Sequence, residues 1–307
     1  MTATDLTSPI IEVRGLTKRF GPVLAVDNLS FEVHRGRVTA FLGPNGAGKT
    51  TTLRTLLGLV SPSGGTATIA GQPYPRLADP ARTVGAVLES SGFHPGRSAI
   101  EHLRVLATAG RLPRERAGEV LTLVGLAGVA DRRVGGFSLG MRQRLGLAAA
   151  LIGNPGVLIL DEPANGLDPE GVHWLRSYLR RFADAGGTVL VSSHLLSEVA
   201  QLADDVVILA RGRLVAQGPL ASLTDGLRAG RVRVRSPQRD QLEELLGAMG
   251  IRWEAGGPDV LIARGTTSDI VGQAAADDGI VLYELTPAPS NLEDVFLDIT
   301  AEAPPPS

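Results

Sequence analysis

Gly43, Pro44, Asn45, Gly46, Ala47, Gly48, Lys49, Thr50 and the following Thr51 have the types and spacing to hold a nucleoside triphosphate. The pattern G-x-x-x-x-G-K-[ST] turns the backbone tightly and aims successive N–H groups at phosphate oxygens. Lys49 is a compact charge on a thin stem, suited to reach β- and γ-oxygens inside such a loop. The chain carries 30 basic residues, and only Lys18 and Lys49 are lysines. A sequence that writes nearly every positive charge as arginine has kept lysine where a phosphate loop needs it. Thr50 places a hydroxyl where Mg²⁺ would sit.

A second chemical group lies far downstream. Val157–Leu160 is an apolar run that ends in Asp161 and Glu162. A buried strand ending in a carboxylate beside a phosphate loop supplies a second side for Mg²⁺, often through water. The acid directly after it can polarise an attacking water. Between the two groups, Ser138 is a good N-cap for a helix. Its hydroxyl, the Gly140 backbone and the positive helix end would make a further anion site, although by themselves these residues read as an ordinary capped helix.

These residues require elements to position them. Val38–Leu42 reads as a buried parallel strand and Lys49–Leu59 as a helix, the strand–loop–helix context of a phosphate site. Further strands are expected at Val84–Leu88, Val157–Leu160, Thr188–Ser192 and Val206–Leu209. Helices are expected to start at Pro113 (apolar face Ala117, Val120, Leu121, Val124), to end near Gly153, and to span Pro169–Ala185. Ile10–Val13 and Leu29–Val33, around Gly21-Pro22, read as an antiparallel β edge. Past Gly218-Pro219 the pattern changes. It predicts strands at Arg231–Arg235, Val260–Ala263 and Ile280–Leu285, and helices at Gln238–Met249 and Thr267–Ala276. A capped helix is expected over Ser290–Ile299. Arg231, Arg233 and Arg235 are expected on one solvated strand face.

Composition narrows the classes. The 307 residues are 43% hydrophobic and 20% charged, with a net charge of −2 and no cysteine. There is room for one large or two ordinary domains, no disulfide framework, and no electrostatic case for nucleic acid. The first nine residues lack an apolar h-region, so no secretory leader is expected. Leu145–Leu160 is too short and interrupted to span a bilayer.

The order of these motifs resembles the ATP-binding cassette (ABC) family. The Ser138 segment (F-S-L-G-M-R-Q-R) stands at that family's signature, and Gly166-Leu167-Asp168 at its D-loop. His194 stands at its switch histidine, and Phe20 where an aromatic residue stacks on adenine. Glu89 takes the Q-loop position, where the family has glutamine, and is placed by the resemblance near Mg²⁺ and the permease contact. Leu139 and Met141 also depart from the family signature. Glu89 and the S-L-G-M text are similar to bacitracin- and lantibiotic-type exporters.

The resemblance implies an α/β P-loop NTPase of the ABC ATPase type, with an antiparallel β edge and a helical subdomain over about residues 90–150. The ATP-binding domain is expected at 10–222, a small C-terminal α+β domain at 223–302, and a disordered tail at 303–307. It implies ATP and Mg²⁺ as ligands, with Thr50, Asp161 and Glu89 around the metal. Lys49, Glu162 and His194 would act on the γ-phosphate, and Asp168 would face a partner. It further implies a homodimer or pseudo-dimer closed around two ATP, each between one subunit's phosphate loop and the other's Ser138 and Gly140. A separate membrane permease would hold it at the cytoplasmic face and export a drug, antibiotic peptide or lipid. The alternative is a soluble ABC ATPase acting on a ribosome or DNA; a single cassette, no long coiled-coil insertion and no basic charge count against it.

Overall fold

The computed structural model describes residues 8–88, 92–194, 201–222 and 230–288. The chain divides into two compact units, one running to Gln217 and the other Gly218–Ala301. The expected Ser290–Ile299 helix, the 303–307 tail and Glu89 lie outside the described residues.

The first unit opens with β1 (Pro9–Phe20), β2 (Val23–His34), β3 (Val38–Leu42), α1 (Lys49–Leu56) and β4 (Gly64–Ile69). Then come α2 (Pro80–Thr83), β5 (Val84–Val87), α3 (Ala99–Ala109), α4 (Arg116–Leu123) and α5 (Leu139–Leu151). It closes with β6 (Val157–Leu160), α6 (Pro169–Asp184), β7 (Thr188–Ser193), β8 (Asp205–Ala210) and β9 (Arg213–Pro219). One sheet has the order β5-β6-β7-β3-β8-β9, with parallel pairing from β5 through β8. A parallel sheet covered on both faces needs strands that read as near-continuous apolar runs. Accordingly β3, β6, β7 and β8 are buried at every position.

Alternate residues of these strands feed two cores, as the period of two requires. Phe41, Val157, Ile159 and Leu190 pack with α1 and an antiparallel sheet of order β2-β1-β4. Val38, Leu158, Leu160, Val189 and Val191 pack on the other side with α3, α4, α5 and α6. The sheet order sets the site: β3 lies centrally, and β7 separates it from β6. The loop after β3, the acids after β6 and the end of β7 therefore meet at one carboxyl edge, where open α/β sheets bind ligands.

The antiparallel edge is longer than expected. Register shifts between Val13 and Leu16, and again before Arg19, break the alternation along β1, so only the strand ends carry a readable pattern. β4 escapes the pattern because only its Ile69 is buried. α4 begins at Arg116 rather than Pro113. The backbone there first closes tight turns, with Arg116 N–H to the Pro113 carbonyl at 3.2 Å and Ala117 N–H to the Arg114 carbonyl at 3.2 Å. Ala117, Val120, Leu121 and Val124 are all buried.

The second unit runs β10 (Arg231–Arg235), α7 (Arg239–Ala248), β11 (Arg252–Gly257), β12 (Val260–Arg264), α8 (Ser268–Asp277) and β13 (Glu284–Pro287). Its antiparallel sheet has the order β11-β12-β10-β13. This β-α-β-β-α-β succession is the split βαβ arrangement. Val232, Val234, Leu261 and Ala263 meet Leu242, Leu246, Val271 and Ala275 in its core. Two expectations are corrected. The last strand starts at Glu284 because Ile280 still closes the turn after α8, its N–H on the Ala275 carbonyl at 2.8 Å. The β10 arginines do not form one solvated face: Arg231 is 7% exposed, Arg233 pairs with Glu284 at 3.0 Å, and Arg235 lies 5.5 Å from the Tyr283 ring centroid. Among the described residues no helix is long and apolar enough to cross a membrane.

Candidate active site

The loop from Gly43 to Gly48 leaves the fully buried β3 and delivers the chain into α1. Gly48 occupies the N-cap of α1 at φ 99°, and no side chain caps this helix end. Its first amides are thus left to an anion, which the helix dipole also favours. The back of the loop is fastened: Gly212 N–H donates to the Ala47 carbonyl at 3.0 Å, and Asp27 N–H to the Gly212 carbonyl at 2.9 Å. Arg213 pairs with Asp27 at 2.6 Å beside this join. Lys49 is 6% exposed and donates to the Gly43 carbonyl at 2.6 Å, so its ammonium lies within the loop it serves. Residues 44–51, Ala25 and Glu162 line an open cleft of about 210 Å³.

A side chain at position 48 has no room. A Cβ there would lie 2.6 Å from the Ala25 carbonyl oxygen, on a backbone conformation that L residues resist. Gly48→Ala is therefore expected to displace the loop and weaken ATP binding by at least about tenfold, the cost of roughly 1.4 kcal/mol of strain. Titration with a fluorescent ATP analogue checks this; unchanged affinity would remove the steric argument.

The acidic side is equally ordered. Thr50 Oγ1 donates to Asp161 Oδ2 at 2.7 Å, and Ser192 Oγ to Asp161 Oδ1 at 2.5 Å. Ser192 Oγ also accepts the Glu162 N–H at 2.9 Å. Glu162 itself adopts φ 49°, rare for a residue with a side chain. One oxygen of its carboxylate lies 3.5 Å from Lys49 Nζ and the other 2.8 Å from His194 Nδ1. A carboxylate is thereby held at the lining of the phosphate-loop cleft, between a cation and an imidazole. Thr50 Oγ1 and Asp161 Oδ2 are adjacent hard oxygen donors, the kind of ligand that Mg²⁺ takes directly or through water. Among the described residues no group of three or more His, Asp or Glu could cage a metal. A two-donor site suits Mg²⁺, which keeps waters and takes substrate phosphate oxygens.

A family described as ABC transporter matches residues 26–165, and a domain of unknown function matches residues 230–293. The Nod factor export ATP-binding protein I of Ralstonia nicotianae (strain ATCC BAA-1114 / GMI1000) is 37% identical over 306 residues, 96% of this chain and 94% of that protein. The chain belongs to the ABC transporter ATP-binding subunits. The bacitracin transport ATP-binding protein BcrA of Bacillus licheniformis is 42% identical over 219 residues, 70% of this chain and 72% of that one. A solved ATP-binding subunit of an ABC transporter superposes with a TM-score of 0.64 at 28% identity, covering 71% of this chain and 92% of that chain. A cassette solved as a dimer with ADP and Pi shares the fold, with a TM-score of 0.62 at 24% identity over 68% of this chain and 98% of its own. The chain is accordingly an ABC ATPase, an α/β P-loop NTPase that binds and hydrolyses ATP.

Not every residue singled out in the sequence lies at the cassette's cleft. Phe20 ends β1 opposite Val23, is 49% exposed, and carries Lys18 Nζ at 4.8 Å from its ring centroid. It belongs to the hairpin that supplies Ala25 but does not itself line the cleft. Ser138 caps α5 by accepting the Met141 N–H at 3.2 Å, and Asp168 caps α6 by accepting the Gly171 N–H at 2.8 Å. Both are exposed. Gly140 packs against Gly166, where an added Cβ would lie 3.4 Å from the carbonyl oxygen. Sequence reasoning misses two residues. Ser192 joins the ends of β6 and β7, and its only signal is its place at a strand end. Gln143 is buried and donates to the Pro163 carbonyl at 2.9 Å.

Proposed function

We propose that this cassette hydrolyses ATP at Lys49, Asp161 and Glu162 to drive export through a separate membrane permease, held at the cytoplasmic face by that partner. The observation that carries the reading is the placement of the Glu162 carboxylate at the phosphate-loop cleft, 3.5 Å from Lys49 Nζ and 2.8 Å from His194 Nδ1. In this reading Lys49 turns from the Gly43 carbonyl to the β/γ-phosphates, which the uncapped amides of α1 also bind. Glu162 orients a water whose oxygen attacks the γ-phosphorus; the bond to the ADP oxygen breaks and Glu162 takes the water's proton. His194 holds the second carboxylate oxygen and stands ready for the γ-phosphate. Thr50 and Asp161 would hold Mg²⁺, which when bound neutralises developing charge on the phosphate oxygens. Phe20, exposed outside the phosphate cleft, is left to stack on adenine, and Glu89 relays occupancy to the permease.

Export agrees with the names of the Nod factor and bacitracin relatives. A drug, a peptide antibiotic or a lipid fits, with the cargo chosen by the permease.

Two copies close head to tail in this scheme. Ser138 and Asp168 are exposed helix caps on a unit that already owns one phosphate loop. A second anion-binding helix end outside the cleft is explained if it completes the partner's site. Mixing two variants tests this. Ser138→Asp preserves a good cap but sets a negative charge against phosphate, and Lys49→Ala removes the loop cation. Each alone is expected to be poorly active. The mixture contains heterodimers with one intact site and should hydrolyse ATP faster than either variant by itself. A rate equal to the average of the two would sink the shared-site arrangement.

A further inference from the structure

Glu162 needs more than its own backbone to stay where it is. A residue with a Cβ at φ 49° persists only when its surroundings over-determine it. One restraint comes from the N-terminal side, where Ser192 Oγ accepts the Glu162 N–H. Another comes from α5. Gln143 is 7% exposed and donates through Nε2 to the carbonyl of Pro163, the residue directly after Glu162. The first turn of α5 also grips the far end of the same loop. Gly166 sits at φ 80°, and a Cβ there would lie 2.2 Å from Leu139 Cδ2. Leu139, one of the two residues that depart from the family signature, thus covers the loop glycine while remaining 53% exposed.

We infer that Gln143 is a positioning residue for Glu162, acting through the Pro163 carbonyl, so that the helix headed by Ser138 sets the orientation of the carboxylate. This rests on the reading of Glu162 as the group that activates water. A small displacement of that carboxylate leaves ATP binding alone, because the phosphate contacts belong to the loop and α1. It lowers turnover, because the attacking water is no longer aligned. It also links two places: anything that moves the Ser138 end of α5 moves the loop that carries the catalytic carboxylate.

The test uses the full chain and ATP with Mg²⁺. Gln143→Met keeps the volume and removes the donor; Gln143→Glu keeps the shape and donates only when protonated. Both are measured alone and combined with Glu162→Gln, by single-turnover hydrolysis and by ATP titration. Gln143→Met is expected to lower kcat by about ten- to a hundredfold with KM and ATP affinity unchanged. It should lower the residual rate of the Glu162→Gln protein no further, since its effect passes through that carboxylate. Gln143→Glu should recover turnover relative to the wild type as pH falls, because a buried carboxyl keeps its proton more readily. Wild-type kcat in both variants, or an equal fall in the presence and absence of Glu162, overturns the inference. If Glu162→Gln alone turns over normally, the base assignment itself fails and this inference with it. If Glu162→Gln is inactive and the Gln143 variants are not, only the positioning role fails.

Discussion

Replacing Glu162 with glutamine is expected to slow ATP hydrolysis by about 10²- to 10⁴-fold, the usual contribution of a positioned general base, while ATP binding survives. The substitution is nearly isosteric. It keeps a polar oxygen within reach of His194 and leaves the N–H bond to Ser192 untouched. What it removes is the ability to accept a proton from water. The proposed phosphate contacts of Lys49 and the α1 amides are left intact, so ATP should bind and remain. In the proposed two-copy arrangement the uncleaved nucleotide then acts as the adhesive, and the variant should accumulate as a dimer. Gel filtration with and without ATP, alongside a phosphate-release assay, reads both effects. Turnover near the wild-type rate would reassign the base, and an inactive protein that elutes only as a monomer would remove the ATP-bridged pairing.

Lys49→Ala is expected to act one step earlier. The ammonium is buried within the loop and bonded to the Gly43 carbonyl. Removing one member of a buried charge pair with phosphate costs about 2–5 kcal/mol, or on the order of 30- to 4,000-fold in Kd. The loss should fall on ATP more than on a nucleoside monophosphate, because in the proposed mechanism the lysine serves the distal phosphates. The variant also leaves Glu162 without its nearby cation at 3.5 Å. Hydrolysis therefore falls even at saturating nucleotide. Isothermal titration with ATP, ADP and AMP measures the pattern. Equal affinities for ATP in the two proteins would dissolve the phosphate-loop assignment, and equal losses for all three nucleotides would place the lysine elsewhere.

The two variants are expected to separate binding from chemistry, because their residues stand on different elements. Lys49 and Thr50 belong to the helix that follows β3, whereas Asp161 and Glu162 follow β6. The two strands are not neighbours; β7 lies between them, and its Ser192 bonds to both acids. A ligand held by the first group can thus stay in place while the second is altered. Gly48→Ala, in contrast, disturbs the loop itself.

The phosphate loop and the acidic strand end are legible in the amino-acid sequence. Each is a contiguous segment whose chemistry depends on local backbone geometry: a glycine turn before a helix, a carboxylate after a buried strand. The parallel strands are legible too, because burial on both faces leaves near-continuous apolar runs such as Val157–Leu160 and, broken only by Thr39, Val38–Leu42. Weakly apolar edge elements are not. β4 buries only Ile69, β11 is exposed along most of its length, and the register shifts of β1 hide its alternation. Tertiary structure alone decides which side chains meet. That Thr50 bonds Asp161 across 111 residues, that Ser192 ties two strand ends, and that Gln143 reaches the carbonyl after Glu162 all follow from strand order and helix packing. Periodicity reports which face of an element is buried, but it carries no information about which element lies against that face. That is settled only when the sheet assembles.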